Sequence, residues 1–252
     1  MTNGQDTHEL RGSERNALLR DLGAADYAWL ANHLEEVSLG AGALLVRENT
    51  PPSHVYFPQT GIVSLVALFS DGSSVEVGTI GCEGMVGLPV FLQTESTPHR
   101  TMVQVDAALR RLPIEIFEDA LQALPELDRI LRRFTDAYLF QVSQTAACNR
   151  MHDLGQRAAR WLLMTHDRVR ADTFALTHEF LAMMLGVRRA GVSEAAAELQ
   201  RRGAIRYSRG RVTITDRGVL EQASCECYAA VRARFDSMLH GSAHGAAHVA
   251  AS

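Results

Sequence analysis

The sequence predicts an α+β fold in three parts: an N-terminal β-roll, a long dimerisation helix, and a C-terminal winged helix-turn-helix. Three patterns carry the prediction. Between about 38 and 112, short apolar or alternating runs recur with turn signals between them. From 125 to 150, apolar or small residues step by 4, 3, 4, 3, 4, 3. From 177 to 216, two helical patterns flank a glycine and two alternating strands follow.

Composition sets the frame for these patterns. The chain has 252 residues, 46% of them hydrophobic and 21% charged, enough apolar material for two cores. No apolar run approaches the roughly 18 residues of a membrane span, and the polar N-terminus has no signal-peptide core. A cytoplasmic protein with no membrane partner is expected. The charge is split. Every basic residue is arginine. Residues 1–149 carry 10 arginines against 19 acids, and residues 150–252 carry 15 against 10. The back half is therefore the half suited to a polyanion.

Residues 1–12 read as disordered. Residues 13–36 read as amphipathic helix, with Leu18, Leu19, Leu22, Tyr27, Leu30 and Leu34 apolar and Gly23 interrupting. The strands of a 13–117 sensor domain are ALLV (43–46), HVYF (54–57), GIVSLVALF (61–69), VEVGTI (75–80), TMVQV (101–105) and ALRRL (108–112). Asp71-Gly72 marks a hairpin. Pro113 starts a helical pattern, and residues 118–150 form the dimerisation region. Its seam is Leu127, Leu131, Phe134, Tyr138, Gln141 and Thr145, ending at Cys148, on a helix roughly 39 Å long. So narrow a seam calls for a partner, most simply its own copy across a two-fold axis. The alternative is packing on its own roll. A further helix over 152–170 opens the 151–240 domain, and 241–252 read as a disordered tail.

The basic unit is built from local signals. Thr177 is a natural N-cap. Ala182 is small where two helices would cross, Gly186 suits a left-handed turn, and Val192 fills the core between them. Leu181, Leu185, Val187, Ala195 and Leu199 complete the inner faces, and Gly203 ends the second helix. Ala204–Tyr207 and Val212–Ile214 alternate as strands around Ser208-Arg209-Gly210-Arg211, a wing, and Asp216 caps a final helix to about Leu239. The second helix is expected in a DNA major groove, with Arg188, Arg189, Ser193 and Glu194 at base edges. Thr177, Arg201, Arg202, Arg206, Arg209 and Arg211 are expected at phosphates.

The stretches VYFPQTGIVSLV (55–66), DGSSVEVGTIGCEGMVGLP (71–89) and LTHEFLAMMLGVRRAGVSEAAAELQRRGAIRYSRGRVTITD (176–216) resemble the Crp/Fnr superfamily of bacterial transcription regulators. The resemblance spans nearly all of residues 15–240. It implies a homodimer on double-stranded DNA, acting with RNA polymerase and controlled through a cyclic-nucleotide-binding-like roll. Two departures stand out. In the family the recognition helix often opens with a Glu and an Arg, with a second Arg one turn later. Here the first Arg matches Arg189, but Ala190 takes the Glu slot and Glu194 the later Arg slot. Cyclic-nucleotide binders present Gly-Glu-Leu to the ribose and an Arg-Ser or Arg-Thr pair to the phosphate. Here these become Gly84-Met85-Val86 and His99-Arg100 or Arg100-Thr101. Met85, His99, Arg100 and Thr101 are the candidate effector residues, with a small-molecule effector other than cyclic AMP expected. Residues 1–40 lack the cysteine cluster of the Fnr-type oxygen sensors, and His54, His99 and Cys82 give no haem signal.

Two other readings compete. One is a ligand-independent DNA-binding protein with a degenerate sensor, suggested by Met85. The other is a cupin-type metal enzyme, which would need clustered ligands in the roll, where only His54 and His99 occur. His240, His244 and His248 fall in the Gly/Ala tail. Four cysteines make no disulfide framework and no CxxC pair. Cys225 and Cys227, placed on a helix, would face different directions. No nucleophilic triad, P-loop or dinucleotide fingerprint occurs, so no enzymatic activity, cofactor or metal is expected.

Overall fold

The computed structural model describes residues 13–240; the two predicted disordered ends, 1–12 and 241–252, lie outside the described residues. Two short helices, α1 (Ala17–Asp21) and α2 (Ala24–Ala31), precede the roll. Buried Asn16 starts them. Its Oδ1 accepts from the Leu18 and Leu19 amides, and its Nδ2 donates to the carbonyls of Pro58 (3.1 Å) and Gly84 (2.8 Å). The helical stretch is shorter than predicted. Glu35 and Glu36 open strand β1 (Glu35–Leu39) instead, because Arg111 (2.8 Å) and Arg110 (3.0 Å) on the adjacent strand pair with them.

The roll continues through β2 (Leu44–Val46), β3 (His54–Pro58), β4 (Ile62–Leu68), β5 (Ser74–Ile80), a single turn α3 (Leu88–Phe91), β6 (Arg100–Val105) and β7 (Ala107–Pro113). The strands form two antiparallel sheets, ordered β1-β7-β3 and β2-β6-β4-β5. Their inner residues, among them Val55, Phe57, Val63, Ile80, Val103 and Leu109, share one core. The Asp71-Gly72 hairpin forms as predicted: Gly72 takes φ 83°, and Phe69 N donates to Ser73 O across the loop (2.9 Å).

α4 (Ile114–Ala123) leads into α5 (Pro125–Met151), 27 residues and roughly 40 Å long. The predicted seam is present but faces the wrong partner for a dimer. Leu127, Leu131, Phe134, Tyr138 and Gln141 are buried against their own roll. The roll is shaped to receive them. A Cβ at Gly78 would collide with Tyr138, and one at Gly84 with Phe134. Gln141 Nε2 donates to the Thr79 carbonyl (2.9 Å). Thr145, half-buried, accepts from Arg160 Nη2 of the following helix (2.8 Å). Adding one residue to each seam position turns the helix by about 100°. That side of the helix is the more open one: Arg132, Leu139 and Ala146 are exposed, with Asp128, Thr135 and Val142 half-buried beside them, and Arg132 pairs with Asp128. Leu139 is 63% exposed.

α6 (Leu154–Val169) begins with a capping box between Asp153 and Gln156. Then come β8 (Thr173–Ala175), α7 (His178–Leu185), α8 (Arg189–Arg201), β9 (Ile205–Ser208), β10 (Arg211–Ile214), α9 (Arg217–Ala223) and α10 (Cys227–His240). The predicted two-stranded wing gains a third strand, giving the order β8-β10-β9. Phe174 of β8 is buried in a second core with Trp161, Leu162, Leu181, Val192, Leu199 and Val212. The final helix is interrupted at 224–226. Its second part, α10, carries Val231, Phe235 and Met238 back into the core of the roll. The two halves are therefore closely packed: Val75 of β5 lies against the turn at Gly186.

Candidate nucleic-acid interface and sensor cavity

The helix-turn-helix is closed by hydrogen bonds at its turn. Gly186 has φ 64°; its amide donates to Met183 O (3.2 Å), and the Val187 amide reaches back to Ala182 O (3.0 Å). This paired arrangement satisfies the last carbonyls of α7 and needs a residue free to adopt a left-handed backbone. Thr177 caps α7 by accepting from Phe180 N (3.1 Å). Val192, Ala196 and Leu199 bury the inner face of α8. Ala195, half-buried, packs against the same core as expected, and Ala196 is buried as well.

The outer face of α8 follows by subtraction. Ala190, Glu194, Ala197 and Arg201 form an exposed stripe, with Arg188 at the N-cap and Arg189 in the first turn. Arg189 Nε is 3.0 Å from Glu179 Oε1, and both side chains are exposed. Ser193 is placed differently from the expectation. Its hydroxyl donates to Arg189 O (3.1 Å) and lies 2.9 Å from His178 Nδ1. It therefore braces α8 on α7 rather than projecting freely. His178 in turn meets Tyr207 of the wing edge-on, with ring centroids 4.5 Å apart, and Tyr207 Oη donates to Leu176 O (2.8 Å). Burial raises the Tyr207 hydroxyl above the ordinary phenol range, so it stays a donor. Sequence reasoning missed this His178–Ser193–Tyr207 cluster, because its members lie on three different elements.

At the wing tip Arg209 (φ 48°) and Gly210 (φ 72°) form a two-residue turn with both backbones left-handed, which matches the twist of β9 and β10. Arg188, Arg202, Arg206, Arg209 and Arg211 have no ion-pair partner among the described residues, whereas Arg201 is bridged to Glu198. Five unneutralised guanidinium groups thus share one small unit.

The second site is a cavity of about 650 Å³ between the roll and α5. Its wall is mainly apolar and includes Leu65, Val77, Leu88, Tyr138, Leu139 and Val142. Of the four predicted effector residues, His99 and Thr101 line it. Met85 does not: it is fully buried in the core of the roll. Arg100 does not either. Glu48 holds it outside in a two-point pair, Nε to Oε2 at 3.1 Å and Nη2 to Oε1 at 3.0 Å. That hydrogen bond holds the Glu48 carboxyl below its usual range. No arginine lines the cavity, so its wall offers no guanidinium to a phosphate.

The cysteines also depart from expectation. Cys225 precedes α10 and Cys227 is its first residue, so the pair straddles a helix start. Both thiols point inward beside Cys148.

Residues 36–123 match the family model of the cyclic nucleotide-binding domain, and residues 156–223 match the Crp-like helix-turn-helix domain. The global nitrogen regulator of a Nostoc species is 22% identical over 174 residues, 65% of this chain and 78% of that protein. Among solved structures, a transcriptional regulator of the Crp/Fnr family from Eubacterium rectale superimposes with a TM-score of 0.64 at 19% identity, covering 82% of this chain and 96% of that one. FixK2 from Bradyrhizobium japonicum gives 0.64 at 20% identity, covering 76% and 98%. Among the described residues, no helix is long and apolar enough to cross a membrane.

Proposed function

Since this chain belongs to the Crp/Fnr-type transcription regulators, we propose that it works as a homodimer whose two α8 helices enter successive major grooves of DNA. The observation that carries the reading is the exposed stripe on α8 beside five unpaired arginines. Arg188, Arg189 and Glu194 are the base readers: Arg suits guanine and Glu accepts from cytosine. Thr177, Arg201, Arg202, Arg206, Arg209 and Arg211 serve the phosphates. Ser193 supports the helix from behind. Ala190 and Glu194 mean that the operator differs from the one read by members with Glu and Arg there.

The dimer forms along the exposed side of α5, with Leu139 at its centre and half-buried Val142 beside it. These two residues also line the sensor cavity. An occupant of the cavity would touch the dimer face directly and shift the separation of the two α8 helices. Docking requires them roughly 34 Å apart. The occupant we assign is a small, mainly apolar molecule with one or two polar groups for His99 and Thr101, not a cyclic nucleotide. The DNA-bound dimer acts on RNA polymerase in the cytoplasm, either by contact or by exclusion, and the reading assigns the chain no catalysis. Selection on genomic fragments at two salt concentrations tests it. Enrichment of a two-fold symmetric site is expected, with affinity falling steeply as salt rises. Failure to enrich any fragment would overturn the proposal.

A further inference from the structure

Four ligand-type side chains meet where the long helix hands over to the C-terminal domain. Cys148 lies near the end of α5, and His152 is the residue that ends it. Cys225 and Cys227 come from the start of α10. The Sγ atoms of the three cysteines and a ring nitrogen of His152 all lie within 4.8 Å of one another. All three cysteines are buried, and His152 closes the outer side.

The spacings have the size of one coordination sphere. A tetrahedral zinc ion with Zn–S near 2.3 Å and Zn–N near 2.0–2.1 Å sets its ligands about 3.5–3.8 Å apart. Cys148 Sγ and Cys225 Sγ are 3.5 Å apart, and Cys227 Sγ is 3.6 Å from His152 Nδ1. An iron–sulfur cluster binds its cysteines through different irons and would hold them further apart.

Two neighbours support the same chemistry. Glu226 Oε1 lies 3.2 Å from His152 Nε2, the ring nitrogen turned away from the sulfurs. A carboxylate there fixes the tautomer that leaves Nδ1 free as a ligand. Gln144 Nε2 donates to Cys227 Sγ (3.1 Å), an outer hydrogen bond of the kind that orients a metal-binding sulfur. Three thiolates around a divalent ion leave one net negative charge. Arg157 and Arg160 stand close enough to Cys148 to act on it electrostatically and offset that charge.

We propose that Cys148, His152, Cys225 and Cys227 bind one thiophilic divalent cation, zinc by donor set and geometry, in a closed four-ligand site. The ion clamps the hinge between α5 and α6 to the start of α10. Cys148 and His152 sit i and i+4 at a helix end and share a face. Their partners come from far along the chain, so the sequence shows only Cys-x3-His and, much later, Cys-x-Cys.

The test is metal content of the full chain, purified without chelators, with native thiol reactivity measured alongside. About one zinc per chain is expected, with three thiols becoming reactive only after chelation. Cys225→Ser and Cys148→Ser should lose most of the metal. Cys82→Ser should keep it, and so should a His240→Ala, His244→Ala, His248→Ala triple variant, which removes the tail histidines as a source of bound metal. If the cysteine variants fail to fold, cobalt substitution of the wild-type chain decides: a tetrahedral thiolate spectrum is expected. Metal-free protein with all thiols freely reactive would overturn the proposal. So would a Cys148–Cys225 disulfide in the purified protein, or loss of the metal with the tail histidines alone.

Discussion

Glu76 Oε1 of β5 accepts a hydrogen bond from Trp161 Nε1 of α6 at 3.0 Å, so a carboxyl group of the roll is buried against a helix of the DNA-binding unit. Its other oxygen lies 2.7 Å from Ser64 Oγ, which is also 2.7 Å from Gln104 Oε1. One hydroxyl proton cannot serve two acceptors. Two arrangements remove the conflict: a proton on Glu76, which then donates to Ser64 while Ser64 donates to Gln104, or a turned Gln104 amide, whose Nε2 is otherwise without a partner and would donate to Ser64. Burial pushes the Glu76 carboxyl up from its ordinary 4.5 to about 7, in the sense of the first.

A pH-dependent stability follows. The folded state holds the proton more tightly than the unfolded state. The benefit is complete below pH 4.5 and is lost as pH rises through about 7. Its full size is on the order of 3 kcal/mol. Glu76→Gln keeps the hydrogen-bond geometry without the charge. Denaturant unfolding at pH 5 and pH 8 should show the wild type losing stability at the higher pH and the variant losing much less. Equal losses in both would remove Glu76 as the source.

The face of α5 is open to a direct comparison. Leu131→Ala should cost about 2–5 kcal/mol of stability, since it empties a buried site against the roll. Leu139→Asp should leave the stability of the single chain within about 0.5 kcal/mol and abolish the dimer. Sedimentation and unfolding of both variants check this. If Leu131→Ala alone dissociates the dimer, the stripe one residue on is not the interface.

DNA contacts divide by role. Arg189→Ala should cost about 1–3 kcal/mol on the selected site and relax preference at one base pair per half-site. Arg211→Ala should weaken all sequences alike and reduce the salt slope by about one per chain. Titrations on specific and random duplexes at several salt concentrations separate the two effects. Identical behaviour of the two variants would refute the assignment.

The sensor cavity can be tested by ligand screening. An apolar ligand at a hundred times its dissociation constant should add about 2.7 kcal/mol of stability. Cyclic AMP should add none, because Arg100 is committed to Glu48 and the wall carries no arginine. Stabilisation by cyclic AMP would show that Arg100 turns inward.

The sequence by itself determined the parts whose chemistry is local. The turn at Gly186, the cap at Thr177 and the wing at Arg209-Gly210 rest on residues a few positions apart, and backbone sterics and hydrogen bonding leave few alternatives there. The hairpin at Asp71-Gly72 was legible for the same reason. A period is also local, so the seam of α5 was visible. A period says that a face is covered, not by what. Only the tertiary structure decided that Leu131, Phe134 and Tyr138 turn to the roll, whose glycines at 78 and 84 make room, and that Leu139 is left outside. It likewise moved Met85 into the core, paired Arg100 with Glu48, and brought Cys148 and His152 to Cys225 and Cys227. Each of these depends on contacts between segments distant in the chain, and packing over the whole domain sets such contacts.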